Sequence, residues 1–139
     1  MRIFLTIPLL LALVHTAWAD TTNRAKQFSP VPGIFVGGVG LECKSNPPNI
    51  VEFLLLTKDR QRVGLAVFEN DDVTYDFMAI TRTTPRNYIV KQENIEFVLD
   101  RQSLKLTMEQ DYNCEAMSIS DLHNAAKDFL RTLLSENKI

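Results

Sequence analysis

Reactive side chains are scarce in this chain of 139 residues. It has two cysteines and two histidines, and only His123 lies beyond the first nineteen residues. Zinc sites take three or four cysteine, histidine or carboxylate ligands, so these numbers argue against a metal centre. A nucleophile activated by histidine would have to use His123, which falls in a segment expected to pack as a helix. The sequence therefore predicts no catalytic residues, no metal and no cofactor, and we expect a protein that is not an enzyme.

Basic clusters and late glycines are also missing. The net charge is −2, and no run of lysine and arginine provides the basic surface that a nucleic-acid partner requires. The last of the five glycines is Gly64. The cluster from Gly37 to Gly40 lacks the Lys-Ser or Lys-Thr that completes a phosphate-binding loop, so we interpret it as a flexible bend. Glu69–Asp72 is the longest charge cluster and is typical of a solvated turn.

Residues 1–19 have the layout of a secretory signal peptide. Arg2 precedes an apolar run from Ile3 to Val14, and Ala17 and Ala19 supply small side chains before the expected cleavage point. The apolar run is shorter than the roughly 18 residues that span a bilayer, so we expect no stable membrane insertion after cleavage. The sequence thus predicts a periplasmic or secreted protein.

The mature chain is predicted to be one domain. Residues 20–33 are polar and proline-containing, which indicates a flexible leader, and 34–139 form a single β domain with a C-terminal helix. Export places Cys43 and Cys114 in an oxidising compartment, where such a pair normally forms a disulfide. Ile34–Val36 is expected to be a short extended segment that caps one end of the sheet.

Short apolar runs recur between the two cysteines, roughly every 8–12 residues, with polar turns between them. This spacing predicts a mainly β fold, a small antiparallel meander or barrel closed by the disulfide. Ile50–Leu56 is apolar at nearly every position, so both of its faces should be covered. Gly64 and Ala66 share a face of the next strand and leave room for something to pack closely.

The C-terminal segment predicts one amphipathic helix at 118–135, capped by Ser118 or Ser120. We expect its apolar stripe to pack on the second face of Ile50–Leu56, with His123 as a flanking surface residue. Exposed parts of the stripe and of the acidic turn are candidate partner contacts, namely Phe129, Leu133, Asp71 and Asp72.

The closing hairpin resembles that of small exported bacterial β-meander proteins. In those proteins a strand ending in Asp-Arg leads through a Ser or Thr turn to a Leu-containing strand and a terminal cysteine. Here Glu96–Leu106 and Tyr112–Glu115 match, together with Leu41–Cys43 at the start. A more distant similarity is to the periplasmic inhibitors of C-type lysozyme, which are small exported barrels with a cysteine bridge. This chain lacks their Ser-Gly loop.

These observations predict an exported, non-enzymatic binding protein in the periplasm or outside the cell, with an envelope protein as a candidate partner. Two alternatives stay open. The protein could inhibit a cell-wall hydrolase, as the distant similarity implies, or it could be an accessory subunit of an envelope assembly that uses the helix stripe. The sequence names neither the ligand nor the oligomeric state.

Overall fold

A computed structural model describes residues 31–47 and 50–136. The predicted signal peptide and all of the predicted leader before Val31 lie outside the described residues. Within the described part, a 3-10 helix, nine strands and one α-helix follow in order. Their bounds are Gly33–Phe35 for the 3-10 helix, then β1 (Val39–Ser45), β2 (Val51–Leu56), β3 (Arg62–Glu69), β4 (Asp72–Ala79), β5 (Arg82–Thr83), β6 (Asn87–Gln92), β7 (Ile95–Asp100), β8 (Lys105–Thr107), β9 (Asp111–Met117) and α1 (Ile119–Glu136).

The strands form one antiparallel sheet in the order β4-β3-β2-β1-β9-β8-β7-β6-β5. The mainly β fold, the meander and the C-terminal helix are therefore confirmed, and the sheet is curled into a half-barrel. The first and last strands lie side by side in the middle of the sheet, while the outer strands β4 and β5 are consecutive in the chain. Ile80 N–H donates to Gln61 O at 2.8 Å and Thr81 N–H donates to Ile89 O at 2.9 Å. The chain thus crosses between the two sheet edges within these two residues.

The predicted disulfide is confirmed. Cys43 and Cys114 lie directly opposite each other in the β1–β9 ladder, with their Cα atoms 4.0 Å apart. The Cys114 N–H points away from β1 and donates to Leu104 O at 2.9 Å. The pair therefore occupies a non-hydrogen-bonded position, where opposed side chains approach most closely. Since disulfides persist in oxidising environments, the bridge indicates a compartment other than the cytoplasm.

Two apolar layers lie on the two faces of the sheet. The concave layer fills the half-barrel and includes Leu41, Leu54 and Leu106. The convex layer lies under α1, and Phe53 and Leu55 of β2 both belong to it. Both faces of β2 are thus covered, as its nearly continuous apolar pattern predicts.

The helix α1 begins one residue later than predicted and packs where predicted. The Ser118 hydroxyl accepts the Asp121 N–H at 3.0 Å and so caps its first turn. Leu122 and Ala126 are fully buried against the convex face. The helix approaches β1 so closely that a Cβ at Gly40 would overlap Leu122.

The expected extended segment at Ile34–Val36 is wrong. Gly33–Phe35 forms one turn of 3-10 helix, which buries Phe35 completely while Ile34 and Val36 stay exposed. Two backbone hydrogen bonds close the turn, from Phe35 N–H to Pro32 O and from Val36 N–H to Gly33 O, both at 3.1 Å. The Phe35 ring fills the space above Gly64, where a Cβ would lie 2.7 Å from it.

Among the residues that the structure describes, none of the helical segments has both the length and the apolarity needed to cross a bilayer.

Candidate functional site

The two ends of the half-barrel differ in charge. We call the end with turns 57–61, 84–86 and 101–104 the arginine end, and the end with turns 70–71, 93–94 and 108–110 the acidic end. The turns of the arginine end carry Lys58, Arg60, Arg86 and Arg101 against Asp59. The turns of the acidic end carry Asp71, Glu93 and Glu109, with no lysine or arginine. Such a distribution steers anions and cations to opposite ends.

A cavity of about 280 Å³ opens at the arginine end. Its inner wall continues the concave apolar layer, and its rim carries two arginines and a tyrosine. The lining residues are Val39, Leu41, Leu56, Arg60, Tyr88, Leu99, Arg101, Leu104 and Ala116. Ligand sites in proteins commonly combine mostly apolar walls with a few convergent polar groups. This cavity has that composition.

The turn between β2 and β3 holds Arg60 in place through Thr57. The buried Thr57 hydroxyl accepts the Gln61 and Arg62 N–H groups at 3.2 and 3.1 Å and donates to Asp59 Oδ1 at 2.7 Å. The hydrogen bond from Thr57 is the largest cause that lowers the pKa of the Asp59 carboxyl. Arg60 adopts a left-handed backbone with φ of 59°, which non-glycine residues rarely do. The Arg60 Nη1 donates to Thr57 O at 2.8 Å, so the guanidinium is tied to its own turn.

The turn between β7 and β8 places Arg101 on the same rim. Asp100 Oδ1 accepts the Gln102 and Ser103 N–H groups at 2.9 and 3.0 Å, and its Oδ2 accepts Arg86 Nε at 2.8 Å. The Arg86 hydrogen bond, with those backbone bonds, holds the pKa of Asp100 well below its usual range. Asp100 thus forms its ion pair with Arg86 and not with the neighbouring Arg101.

Arg101 is positioned by an aromatic ring and a carbonyl. Its Cζ lies 4.7 Å from the centre of the Tyr88 ring, within the range of a cation–π contact. Its Nη1 donates to Thr84 O at 2.9 Å. Within 31–47 and 50–136, neither Arg60 nor Arg101 has a carboxylate at ion-pair distance. Two positive charges therefore border an apolar cavity without a neutralising acid from the described chain.

Leu104 adds a second left-handed residue to the same lining, with φ of 58°. Five non-glycine residues in the described chain have positive φ, and two of them, Arg60 and Leu104, line this one cavity. Such conformations cost of order 1–3 kcal/mol and cluster at ligand-binding sites. Here they bring a charged and an apolar side chain to the same opening.

The acidic end has a cavity of about 460 Å³, bordered by Glu52, Glu96 and Glu109. Glu52 lies on β2 opposite Cys43, and burial raises the pKa of its carboxyl. No cluster of three or more potential metal ligands occurs in the portion of the chain that the structure describes.

A third and wider groove of about 720 Å³ lies outside the β2–β3 turn. Its lining includes the exposed side chains of Lys58, Asp59 and Arg62. Arg101 at the arginine end is exposed as well, but its guanidinium is held by a backbone carbonyl, whereas neither Lys58 nor Arg62 has such a side-chain hydrogen bond within the described residues. The groove is therefore less preorganised than the cavity at the arginine end.

The predicted partner contacts lie elsewhere. Phe129 is half-buried, with its ring centre 5.5 Å from that of Phe53 and 5.7 Å from that of Phe68. Leu133 is half-buried one turn further along α1. Asp71 is exposed at the tip of the β3–β4 hairpin, and the half-buried Asp72 opens β4. The structure therefore brings none of these four residues to the arginine end.

The expectation of a surface position for His123 is wrong. The residue is 7% exposed, and its Nδ1 lies 2.8 Å from the Tyr75 hydroxyl of β4. The helix packs so closely against the convex face that His123 is buried along with Leu122. Burial also raises the pKa of Tyr75 to about 12. Helical spacing predicts that His123 lies beside the apolar stripe, but whether it is buried depends on how closely α1 packs against the sheet.

Sequence reasoning missed the arginine end. Arg101 was visible only as part of the Asp-Arg resemblance, and Arg60 as part of a turn. Comparison of the chain with protein-family models, with curated proteins and with solved structures found no match in any of the three.

Proposed function

We propose that this protein is an exported, non-enzymatic binding protein of the periplasm or the extracellular space, and that it binds its ligand at the arginine end. One observation carries the proposal: Arg60 and Arg101 come from separate turns to the rim of one apolar cavity. The signal-peptide pattern and the disulfide support export.

The geometry favours binding over accidental charge on a surface. Each guanidinium is fixed by a backbone carbonyl through Nη1, at 2.8 Å for Arg60 and 2.9 Å for Arg101. Ordering two long side chains in advance lowers the entropic cost that a ligand would otherwise meet. The apolar walls below them lower the effective dielectric on one side of the rim, so an anion there would interact more strongly than on a fully open surface.

The test is to purify the mature protein from envelope extract and record its native mass spectrum. The double variant Arg60→Gln/Arg101→Gln is compared with Lys91→Gln/Arg131→Gln, which removes the same charge from exposed positions away from the cavity. We expect a bound small molecule in the wild type and the control, and its loss from the cavity variant. Equal retention in all three proteins would reject the arginine end as the site, and an empty wild type would reject the proposal.

The acidic end supports a second candidate function, contact with a basic protein partner, as an inhibitor of a cell-wall hydrolase or an envelope subunit would make. Asp71 is exposed there, and Glu93 and Glu109 lie in neighbouring turns. Titration of lysozyme activity is the direct assay for the inhibitor. No inhibition at micromolar protein would dismiss that role and would leave the arginine-end proposal unaffected.

A further inference from the structure

We infer that the ligand of the arginine end is a small amphipathic monocarboxylate, an acyl chain with one free carboxylate. This inference rests on the proposed function and gives its site a chemical class. The acyl chain would lie against the concave wall, and the carboxylate would lie at the rim between Arg60 and Arg101.

The rim selects a planar anion. A guanidinium presents N–H donors in a fixed fork that matches the two oxygens of a carboxylate. Both arginines use Nη1 for a backbone carbonyl, which leaves Nη2 of each available in the described structure for a ligand oxygen. Two such groups from different turns suit the two oxygens of one carboxylate.

The wall selects an apolar body. Below the rim the cavity is bordered by Leu41, Leu56 and Leu99, which belong to the concave layer. Of these, none offers a side-chain hydrogen-bond donor or acceptor. A sugar or a free amino acid would lose hydrogen bonds to water there without replacement, which costs free energy for each buried polar group. An acyl chain loses none.

The size of the cavity limits the length of the acyl chain. The volume of about 280 Å³ lies near the lower limit of small-molecule sites, so the cavity suits a medium-length acyl chain better than a long one. The lining fixes the orientation, because a carboxylate at the inner end of this cavity would lie among Leu41, Leu56 and Leu99, which offer it no side-chain hydrogen-bond donor. The head therefore stays at the arginine rim.

The experiment is isothermal titration of the delipidated mature protein with decanoate, decanol and acetate as probes. We expect decanoate to bind at least about tenfold more tightly than decanol, because hydrogen bonds between two charged groups are stronger than those to a neutral hydroxyl. Acetate should bind at least tenfold more weakly than decanoate, because it lacks the apolar body. Equal binding of decanoate and decanol would overturn the role of the arginines, and equal binding of decanoate and acetate would overturn the role of the wall.

Variants give a second readout. Arg60→Gln should weaken decanoate binding by about tenfold and leave decanol binding unchanged, whereas Lys91→Gln should change neither. Unchanged decanoate binding in Arg60→Gln would overturn the inference. If that variant does not fold, the comparison of the three probes on the wild type still decides the matter. Absence of decanoate binding, together with a different molecule on protein from the envelope, would reject the carboxylate and keep the proposed function.

Discussion

The Tyr75 hydroxyl lies 2.8 Å from Nδ1 of His123, which joins β4 to α1 across 48 residues of sequence. The two rings also contact each other, with their centres 5.8 Å apart. This polar contact lies within the otherwise apolar layer under the helix. Because a lost partner leaves a buried polar atom with one hydrogen bond fewer, we expect Tyr75→Phe to lower the free energy of unfolding by about 1–3 kcal/mol at pH 7. Urea denaturation followed by far-UV circular dichroism measures it, and an unchanged midpoint would contradict the assigned contact.

The same tyrosine predicts a loss of stability at alkaline pH. Burial raises the pKa of Tyr75 to about 12 in the folded protein, above the value of about 10 in an unfolded chain. Between these values the unfolded state loses its proton first, so the folded state is destabilised as pH rises from about 10 to about 12. Tyr75→Phe should flatten this decline. The control is Tyr88→Phe, a half-buried tyrosine of β6, which should retain the decline.

Glu52 predicts the opposite kind of variant, one that stabilises the protein. Burial raises the pKa of its carboxyl, so ionisation costs the folded state more than the unfolded state. This loss of stability is absent at low pH, where Glu52 is protonated in both states. It appears as pH rises from the ordinary pKa near 4.5 through the raised pKa of the folded state. Glu52→Gln should therefore raise the melting temperature at pH 7 and leave it nearly unchanged at pH 3. Glu109→Gln, at an exposed position of the same cavity, is the matched control. An equal rise in melting temperature from this variant would show that burial of Glu52 is not the cause.

The aromatic contacts of Phe129 predict a stability role that does not depend on a partner. Phe129→Ala removes the ring that contacts Phe53 and Phe68, and we expect a loss of about 2–3 kcal/mol, below the usual cost of a fully buried phenylalanine. Leu134→Ala, at a position 47% exposed on the same helix, should cost less than about 1 kcal/mol. Chemical denaturation of both variants measures the difference. Equal losses would show that α1 does not pack through Phe129.

Removal of the disulfide should be costly because the bridge closes a long loop. Cys43 and Cys114 are 71 residues apart, and the chain-entropy estimate for such a loop is about 4 kcal/mol. We expect Cys43→Ala/Cys114→Ala to unfold at much lower denaturant than the wild type. Reduction of the wild type with dithiothreitol should give a similar shift, which separates the bridge from packing changes caused by alanine.

The sequence was informative wherever a pattern repeats along the chain. The regular recurrence of short apolar runs between the two cysteines, and the nearly continuous apolar run at β2, were enough to predict strands, two covered faces and the position of α1. The small residues Gly64 and Ala66 correctly marked a surface of close packing. These features depend on local spacing, which a single sequence displays directly.

The candidate site was not predictable in the same way. Arg60 and Arg101 are 41 positions apart, and each is one ordinary charge in a polar turn. They meet because the sheet curls and its turns alternate between two ends. The left-handed backbone at Arg60 and Leu104 has no signal such as glycine to mark it. The helical turn at Phe35 was missed for a related reason, since it depends on space that another strand leaves.

The central position of β1 and β9 has a consequence for the order in which the chain folds. The three-stranded units β2–β3–β4 and β6–β7–β8 can each form from segments that are close in sequence. The β1–β9 ladder lies between these units and pairs Gly40 with Met117, so it cannot form until β9 is available. Pairing across so long a stretch is entropically unfavourable and correspondingly slow. We therefore expect the two local sheets to form first and to join through the β1–β9 ladder into one half-barrel. The cavity at the arginine end is complete only after that step, because its wall includes Val39 and Leu41 of β1 and Ala116 of β9.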